Sequence, residues 1–334
     1  MGNKSDAYAF QLADNQKLKN SASGGFFSAL CEYVIKNGGV VFGAVYSDDF
    51  SVVHVGIDSI DQCEKFSGSK YVQSNLGDTF KQVKELLDQG CLVCYSGVGC
   101  QIAGLNCFLG KEYQNLITVD LVCAGVPSPK LWSNYIDYQE GKYKSKLEYV
   151  NFRNKTYGYQ SSTMLLTFDN GKIYSHSGRI DPMMNFFVSG IAKRPSCYEC
   201  RIKGVKRKSD FTIFDSWHAA ELIGEDVDDR GYTNIIPQSL KARKLLQEIT
   251  VGCVLRPIDI DKAVALDGKM FMQLPNKNNK RNEFYKTLEL DGFEGCVRKY
   301  LKITFTDKVL ENIKPMLYRT GLISKVKQIK RLVK

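Results

Sequence analysis

Histidine is scarce in this chain. Only three stand among 334 residues, His54, His176 and His218, and they form neither an HExxH pattern nor any paired spacing, which disfavours an imidazole-rich catalytic zinc site. No stretch reaches the roughly 18 uninterrupted apolar residues that a membrane span needs. The opening MGNKSDAYAFQLADNQKLKN lacks the apolar middle of a signal peptide, and Asp6 stands where a myristoylation signal needs Ser or Thr, so a cytoplasmic location is expected. No repeat with a period of about 20 to 50 residues and no low-complexity tract is present, which sets solenoids and arrays aside.

What is there is the composition of an ordinary globular protein, 43% hydrophobic and 25% charged. The formal charge of +10 suggests a polyanion partner until its distribution is read. Residues 297–334 hold eleven Lys or Arg against two Asp or Glu, whereas the rest holds 35 against 34. The body is therefore neutral, and specific nucleic-acid binding is not expected. The basic C-terminal segment, VLENIKPMLYRTGLISKVKQIKRLVK, spaces apolar residues at helical intervals. It reads either as a solvated helix packed on the body or as a peripheral contact with an anionic membrane surface or acidic partner.

Cysteine is plentiful instead. Eleven of them, an odd number without an export signal, argue against a disulfide framework and make metal-binding or cluster-binding thiolates the live alternative.

Along the chain, FFSALCEYVIKN predicts a helix that starts after Ser23-Gly24-Gly25 and stops at Gly38-Gly39. VVFGAVY, SVVHVGID, CLVCYSG and LITVDLVCAG predict strands, with helices over 77–89 and after Gln101. From about 147 to 180 the texture turns to alternating strands with a hairpin tip at Asp169-Asn170-Gly171. The fold class is α/β: a mixed sheet flanked by helices, with an antiparallel, loop-rich second region carrying a CxxC and a C-terminal basic helix. The expected division is 1–146, an N-terminal α/β region expected to bind flavin; 147–296, with the CxxC; and 297–334, the basic helical tail.

Several segments could carry chemistry. Ser23-Gly24-Gly25 at a helix start offers open amides to an anion, and reads equally as a cap with glycines for close packing. Ser67-Gly68-Ser69-Lys70-Tyr71 could set a cation and an aromatic plane against a negatively charged planar ligand, though it matches no phosphate-loop consensus. Cys91 and Cys94 fall within an apparent strand, where residues three apart point to opposite faces, and read as core. Cys100, after Gly97 and Gly99, and Cys123, before Gly125, both stand at strand ends, where α/β proteins gather ligands. Cys197 and Cys200 stand on a loop after Pro195, crowded by Arg194, Arg201, Lys203, Lys206, Arg207 and Lys208. Together Cys100, Cys123, Cys197 and Cys200 supply four ligands, enough for one [4Fe-4S] cluster or one structural zinc, and also read as free thiols. Asp210-Phe-Thr-Ile-Phe214-Asp215-Ser216-Trp217-His218 delivers an acid and an aromatic to a strand end, or simply caps it.

Taken in order, SASGGFFSAL, GSKYVQS, SGVGCQIAGL, DLVCAGVPSP, VNFRNKTYGY, RPSCYEC and SDFTIFDSW resemble the coenzyme F420 hydrogenase/dehydrogenase beta-subunit family over roughly residues 20–285. The resemblance implies an iron-sulfur flavoprotein, an oxidoreductase that moves electrons between a [4Fe-4S] cluster on Cys100, Cys123, Cys197 and Cys200, a bound FAD and, in methanogens, coenzyme F420. It implies a flavin site lined by Ser23, Gly24, Gly25, Ser69, Lys70, Tyr71, Ser96, Gly97 and Gln101. No Cys precedes Cys31, so the form resembled is the bacterial one without the N-terminal ferredoxin module, and its partner is expected to be a separate ferredoxin-like or other electron-transfer protein. Such forms resemble those of bacterial surface-polysaccharide gene sets, where coenzyme F420 need not exist. Val98-Gly99 replaces the family's Thr-Pro, Ala124 its His, and Phe214-Asp215-Ser216-Trp217 its Gly-Asp-Phe-Trp. These changes give the competing expectation, a zinc-stapled binding or scaffold protein without redox activity.

Overall fold

The computed structural model describes residues 7–320 and Leu322. Readings that concern 1–6, 321 and 323–334, including the last basic residues of the tail, lie outside the described residues. The strands are β1 (Ala7–Gln11), β2 (Val40–Tyr46), β3 (Val52–Ile57), β4 (Val93–Val98), β5 (Leu116–Leu121), β6 (Leu147–Asn154), β7 (Thr163–Phe168), β8 (Ile173–Ser177), β9 (Phe211–Asp215), β10 (Thr233–Pro237) and β11 (Val254–Ile258). The chain divides into two compact units. One joins the chain up to Pro129 with Arg194–Asn276, and the other joins Lys130–Lys193 with the chain from Lys277 onward.

The first unit is built on an eight-stranded sheet in the order β11-β1-β10-β9-β5-β4-β2-β3. Its centre, β9-β5-β4-β2, is parallel, and antiparallel strands complete both edges. The runs VCYSGV and LITVDL are apolar almost throughout because central parallel strands are covered on both faces. On one face the helix Phe26–Lys36 lays Phe26, Leu30, Cys31 and Val34 against Val41, Cys94, Ile117 and Phe211. The helices Thr79–Asp88 and Gly99–Leu109 cover the other face, with Val83, Leu87, Ile102 and Leu105 against Phe42, Val93 and Tyr95.

Gly24 is where the chain touches the sheet backbone. A Cβ there would lie 2.1 Å from the Phe10 carbonyl oxygen and 2.5 Å from the Thr233 nitrogen. Its own amide donates to Thr233 Oγ1 (2.8 Å), and its carbonyl accepts from the Leu12 amide (2.8 Å).

The second unit holds the antiparallel sheet β6-β7-β8, and the expected hairpin joins β7 to β8 with Gly171 at φ +76°. The helix Pro129–Tyr143 contributes Trp132 and Tyr135 to its core, and Arg281–Tyr300 contributes Phe284 and Phe293. The tail forms the helix Phe305–Arg319, whose start is closed reciprocally by Thr304 and Asp307. This helix docks on β8 through Glu311, which accepts from the Ser177 amide (2.8 Å). No helix among the described residues is long and apolar enough to cross a membrane.

Two expectations need correction. The boundaries at 146 and 296 do not match the compact units, and the CxxC belongs with the large sheet, because β9 pairs with β5 and β10 and β11 enclose β1. Cys91 lies before β4 rather than within it; its amide donates to Leu86 O (3.0 Å) and its carbonyl accepts from Asn115 Nδ2 (2.7 Å). Cys94 is the buried core residue expected.

Candidate functional site

β4 and β5 run side by side in the same direction, with Val98 opposite Leu121, so the segments leaving both strands emerge at one edge of the sheet. β4 passes directly into the helix Gly99–Leu109, which places Cys100 in its first turn. Cys123 lies two residues beyond the end of β5, and between them the Val122 amide donates to Ile213 O (3.1 Å) on β9. The CxxC reaches the same edge from the segment before β9. The Arg194 amide donates to Val126 O (2.9 Å), fastening that segment to the loop beyond Cys123. Pro195 then opens a tight helical turn, Pro195–Glu199, that carries Cys197 and closes at Cys200.

The four sulfurs act on one another. The Cys123 thiol is pushed up to about 11, chiefly by burial, with the Gly125 amide 3.2 Å from its Sγ opposing the rise and Cys197 and Cys100 contributing to it. Burial also raises Cys100, with Cys200 and Cys197 adding to the rise and Arg194 opposing it. Lys203 is lowered by burial while Cys200, Cys123 and Cys197 favour its charged form, and its Nζ donates to Met270 O (2.7 Å). Among the described residues no three His, Cys, Asp or Glu side chains stand in closed metal-ligand geometry. The four thiols thus stand along one sheet edge without forming a metal-binding group. In chemistry they fit a four-thiolate group: sulfur donors from three segments, an amide N–H already directed at one sulfur, and cations close by.

Beneath the thiols lies a buried ion pair. Asp120 Oδ2 accepts from Arg207 Nη1 (2.8 Å) and its Oδ1 from Ser209 Oγ (2.8 Å), which ties β5 to the segment leaving Cys200. Gly99 makes room for it, since a Cβ there would lie 2.6 Å from both Arg207 Nη1 and Ile202 Cγ2. This accounts for glycine at the position where the family resembled carries proline. Sequence reasoning missed Asp120; its only signal was an acid inside the apolar run LITVDL. Phe214 turns into an apolar core, edge-on to Phe271 at 5.1 Å. Asp210 braces β9, accepting from the Thr118 amide (2.9 Å) and Ser239 Oγ (2.6 Å).

The second group of sequence candidates gathers where β2 and β4 part. Their pairing ends at Phe42 and Tyr95 although both strands continue. Gln101 accepts from the Val98 amide (3.0 Å) and donates to Ser74 Oγ (2.9 Å), joining the end of β4, which carries Ser96 and Gly97, to the segment just beyond Ser69, Lys70 and Tyr71. Lys70 Nζ donates to Ser67 O (3.1 Å) and Gly68 O (3.4 Å) and lies 5.4 Å from the centre of the Tyr46 ring; burial pulls its pKa down to about 7. His54, which sequence reasoning passed over, donates from Nε2 to Ser96 O (3.0 Å) and stacks on Tyr95 at 5.5 Å. Burial holds its pKa near 4, which keeps the ring neutral. Ser23, Gly24 and Gly25 lie apart from this group, beside β1 and β10, with β9 and β5 between them and β4.

The family described as the C-terminal part of the coenzyme F420 hydrogenase/dehydrogenase beta subunit matches residues 90–262. In structure the chain is similar to a chain of the xenon-derivatised F420-reducing [NiFe] hydrogenase complex from Methanosarcina barkeri, with a TM-score of 0.52 and 16% identity over 86% of this chain and 93% of that one. At that identity the likeness carries the fold alone. No curated protein matches.

Proposed function

Because the chain belongs to the coenzyme F420 hydrogenase/dehydrogenase beta-subunit family, we propose that it is an iron-sulfur flavoprotein oxidoreductase whose partner is a separate ferredoxin-like or other electron-transfer protein. The observation that carries this reading is the gathering of Cys100, Cys123, Cys197 and Cys200 at one sheet edge, where Cys197 and Cys200 act on Cys100, and Cys197 and Cys100 act on Cys123. These four residues would hold one [4Fe-4S] cluster. Ser69, Lys70, Tyr71, Ser96, Gly97 and Gln101 would hold FAD; Ser23, Gly24 and Gly25 are left out of that set, because Ser23 Oγ and the Gly24 amide are engaged by Thr233 and the segment packs on β1 and β10. When bound, the two groups supply one-electron transfer and hydride chemistry.

The work of the protein is placement. Gly125 directs its amide at Cys123, while Arg194 and Lys203 offset thiolate charge. Asp120 and Arg207 fix β5 relative to the segment leaving Cys200. Gln101 holds the end of β4, with Ser96 and Gly97, against Ser74. Lys70 brings a cation to a site suited to an anionic ring edge or phosphate, and neutral His54 steadies the Ser96 carbonyl. Coenzyme F420 is not needed for this reading.

Protein purified without oxygen tests it through metal, sulfide and flavin analysis. The expected result is a brown protein with about four iron and four sulfide per chain and bound or bindable FAD. Colourless protein holding one zinc would overturn it in favour of a zinc-stapled binding protein.

A further inference from the structure

Two thiols outside this site share the seam between the helix Phe26–Lys36 and the short helical turn Ile60–Phe66. Cys31 stands on the buried face of the helix with 0% exposure, and Cys63 stands half-buried on the turn, packed against the same core. The seam is held on both sides of them: Phe27 and Phe66 meet edge to face at 5.8 Å, and Asn20 Nδ2 donates to Glu64 Oε1 (2.6 Å). Cys63 packs against the core cluster that contains Cys31, each thiol acts electrostatically on the other, and Cys63 Sγ donates to Ser59 O (3.6 Å).

The two thiols are chemically unequal. The neighbouring Cys31 thiol lowers the Cys63 pKa below that of an ordinary thiol and Lys17 adds to the lowering, while burial and Glu32 oppose it. Burial raises Cys31 well above the ordinary value, and Cys63, Cys94 and Glu32 add to that rise. One sulfur is therefore disposed to attack and the other to follow.

We infer that Cys31 and Cys63 form a redox-active dithiol that a low-molecular-weight disulfide, such as oxidised glutathione, closes into a bridge. The Cys63 thiolate attacks one sulfur of the oxidant, whose S–S bond breaks and releases one thiolate. Cys31 then attacks the Cys63 sulfur of the mixed disulfide, loses its proton and expels the second thiolate. Two protein thiols lose two hydrogens in total, and the oxidant leaves as two reduced thiols. The bridge would pin the turn Ile60–Phe66, which leads directly into Ser69, Lys70 and Tyr71, to the helix.

Treatment of the full chain with oxidised glutathione, followed by non-reducing tryptic mapping, tests this. Cys31 and Cys63 fall on the adjacent peptides 20–36 and 37–65, and neither peptide carries another cysteine. The expected product is these two peptides joined and lighter by two hydrogens, separable again by a reductant. Cys31→Ala should leave Cys63 carrying a stable glutathione adduct, and Cys63→Ser should leave Cys31 unmodified. The inference is overturned if wild-type Cys63 keeps its adduct beside a free Cys31, or if neither reacts under conditions that modify the exposed Cys107.

Discussion

Gly99 shows how one missing side chain sets the spacing of two loops. The volume a methyl would take is filled by Arg207 on its way to Asp120, so Gly99→Ala forces either the guanidinium or Ile202 aside. A loss of about 1–3 kcal/mol in urea unfolding is expected, and an unchanged midpoint would mean that the ion pair yields freely. Lys70 carries a second residue-scale consequence. Its folded pKa of about 7 lies below its ordinary 10.5, so between those values the unfolded chain holds a proton that the folded chain does not. Stability at this site therefore rises with pH across that window and is poorest below about 7. Lys70→Met should raise the thermal midpoint of the cofactor-free protein most below pH 7, with the gain shrinking towards pH 10; a gain independent of pH would show that the ammonium is solvated.

At the scale of elements, what the sequence revealed and what it hid separate on physical grounds. The helix Phe26–Lys36, β2, β4 and the helix Thr79–Asp88 were legible because their apolar periodicity is sustained and glycine or polar residues close them. β1 was not, because AYAFQ is short and its partners on β10 and β11 lie more than two hundred residues away. The passage from one compact unit to the other was hidden too: the helix Pro129–Tyr143 and the loop before Arg194 cross it with no shift in composition. Four cysteines could be grouped from strand ends and a loop, whereas the ion pair beneath them could not, since Asp120 and Arg207 show their partnership only once folded. The tail helix Phe305–Arg319 offers an element-scale test. Burial pushes Glu311 up, yet hydrogen bonds from His176 and Ser177 outweigh it and hold the carboxyl at about 2. Its support is complete above the ordinary 4.5 and is lost as the pH falls towards 2. Glu311→Gln should cost about 1–3 kcal/mol at neutral pH, measured by thermal unfolding, with the difference from wild type narrowing as the solution is acidified through that window.

For the whole molecule, the proposed function divides the cysteines into four that would hold the centre and others that pack. Cys197→Ser or Cys200→Ser should strip iron from anaerobically prepared protein, while Cys91→Ser or Cys94→Ser should keep it and cost only packing. Equal iron content in all four variants would refute the ligand assignment. The sheet order has one more consequence. β1 is seated between β10 and β11, which follow it in the chain by more than two hundred residues, with Tyr8 facing both Ile235 and Pro257. On a ribosome this strand has no neighbour until most of the polypeptide has emerged, and closing so wide a loop is slow. A nascent chain halted before residue 233 would present an unpaired strand to chaperones and to other nascent copies. Closure of the large sheet around β1 therefore waits for β10 and β11.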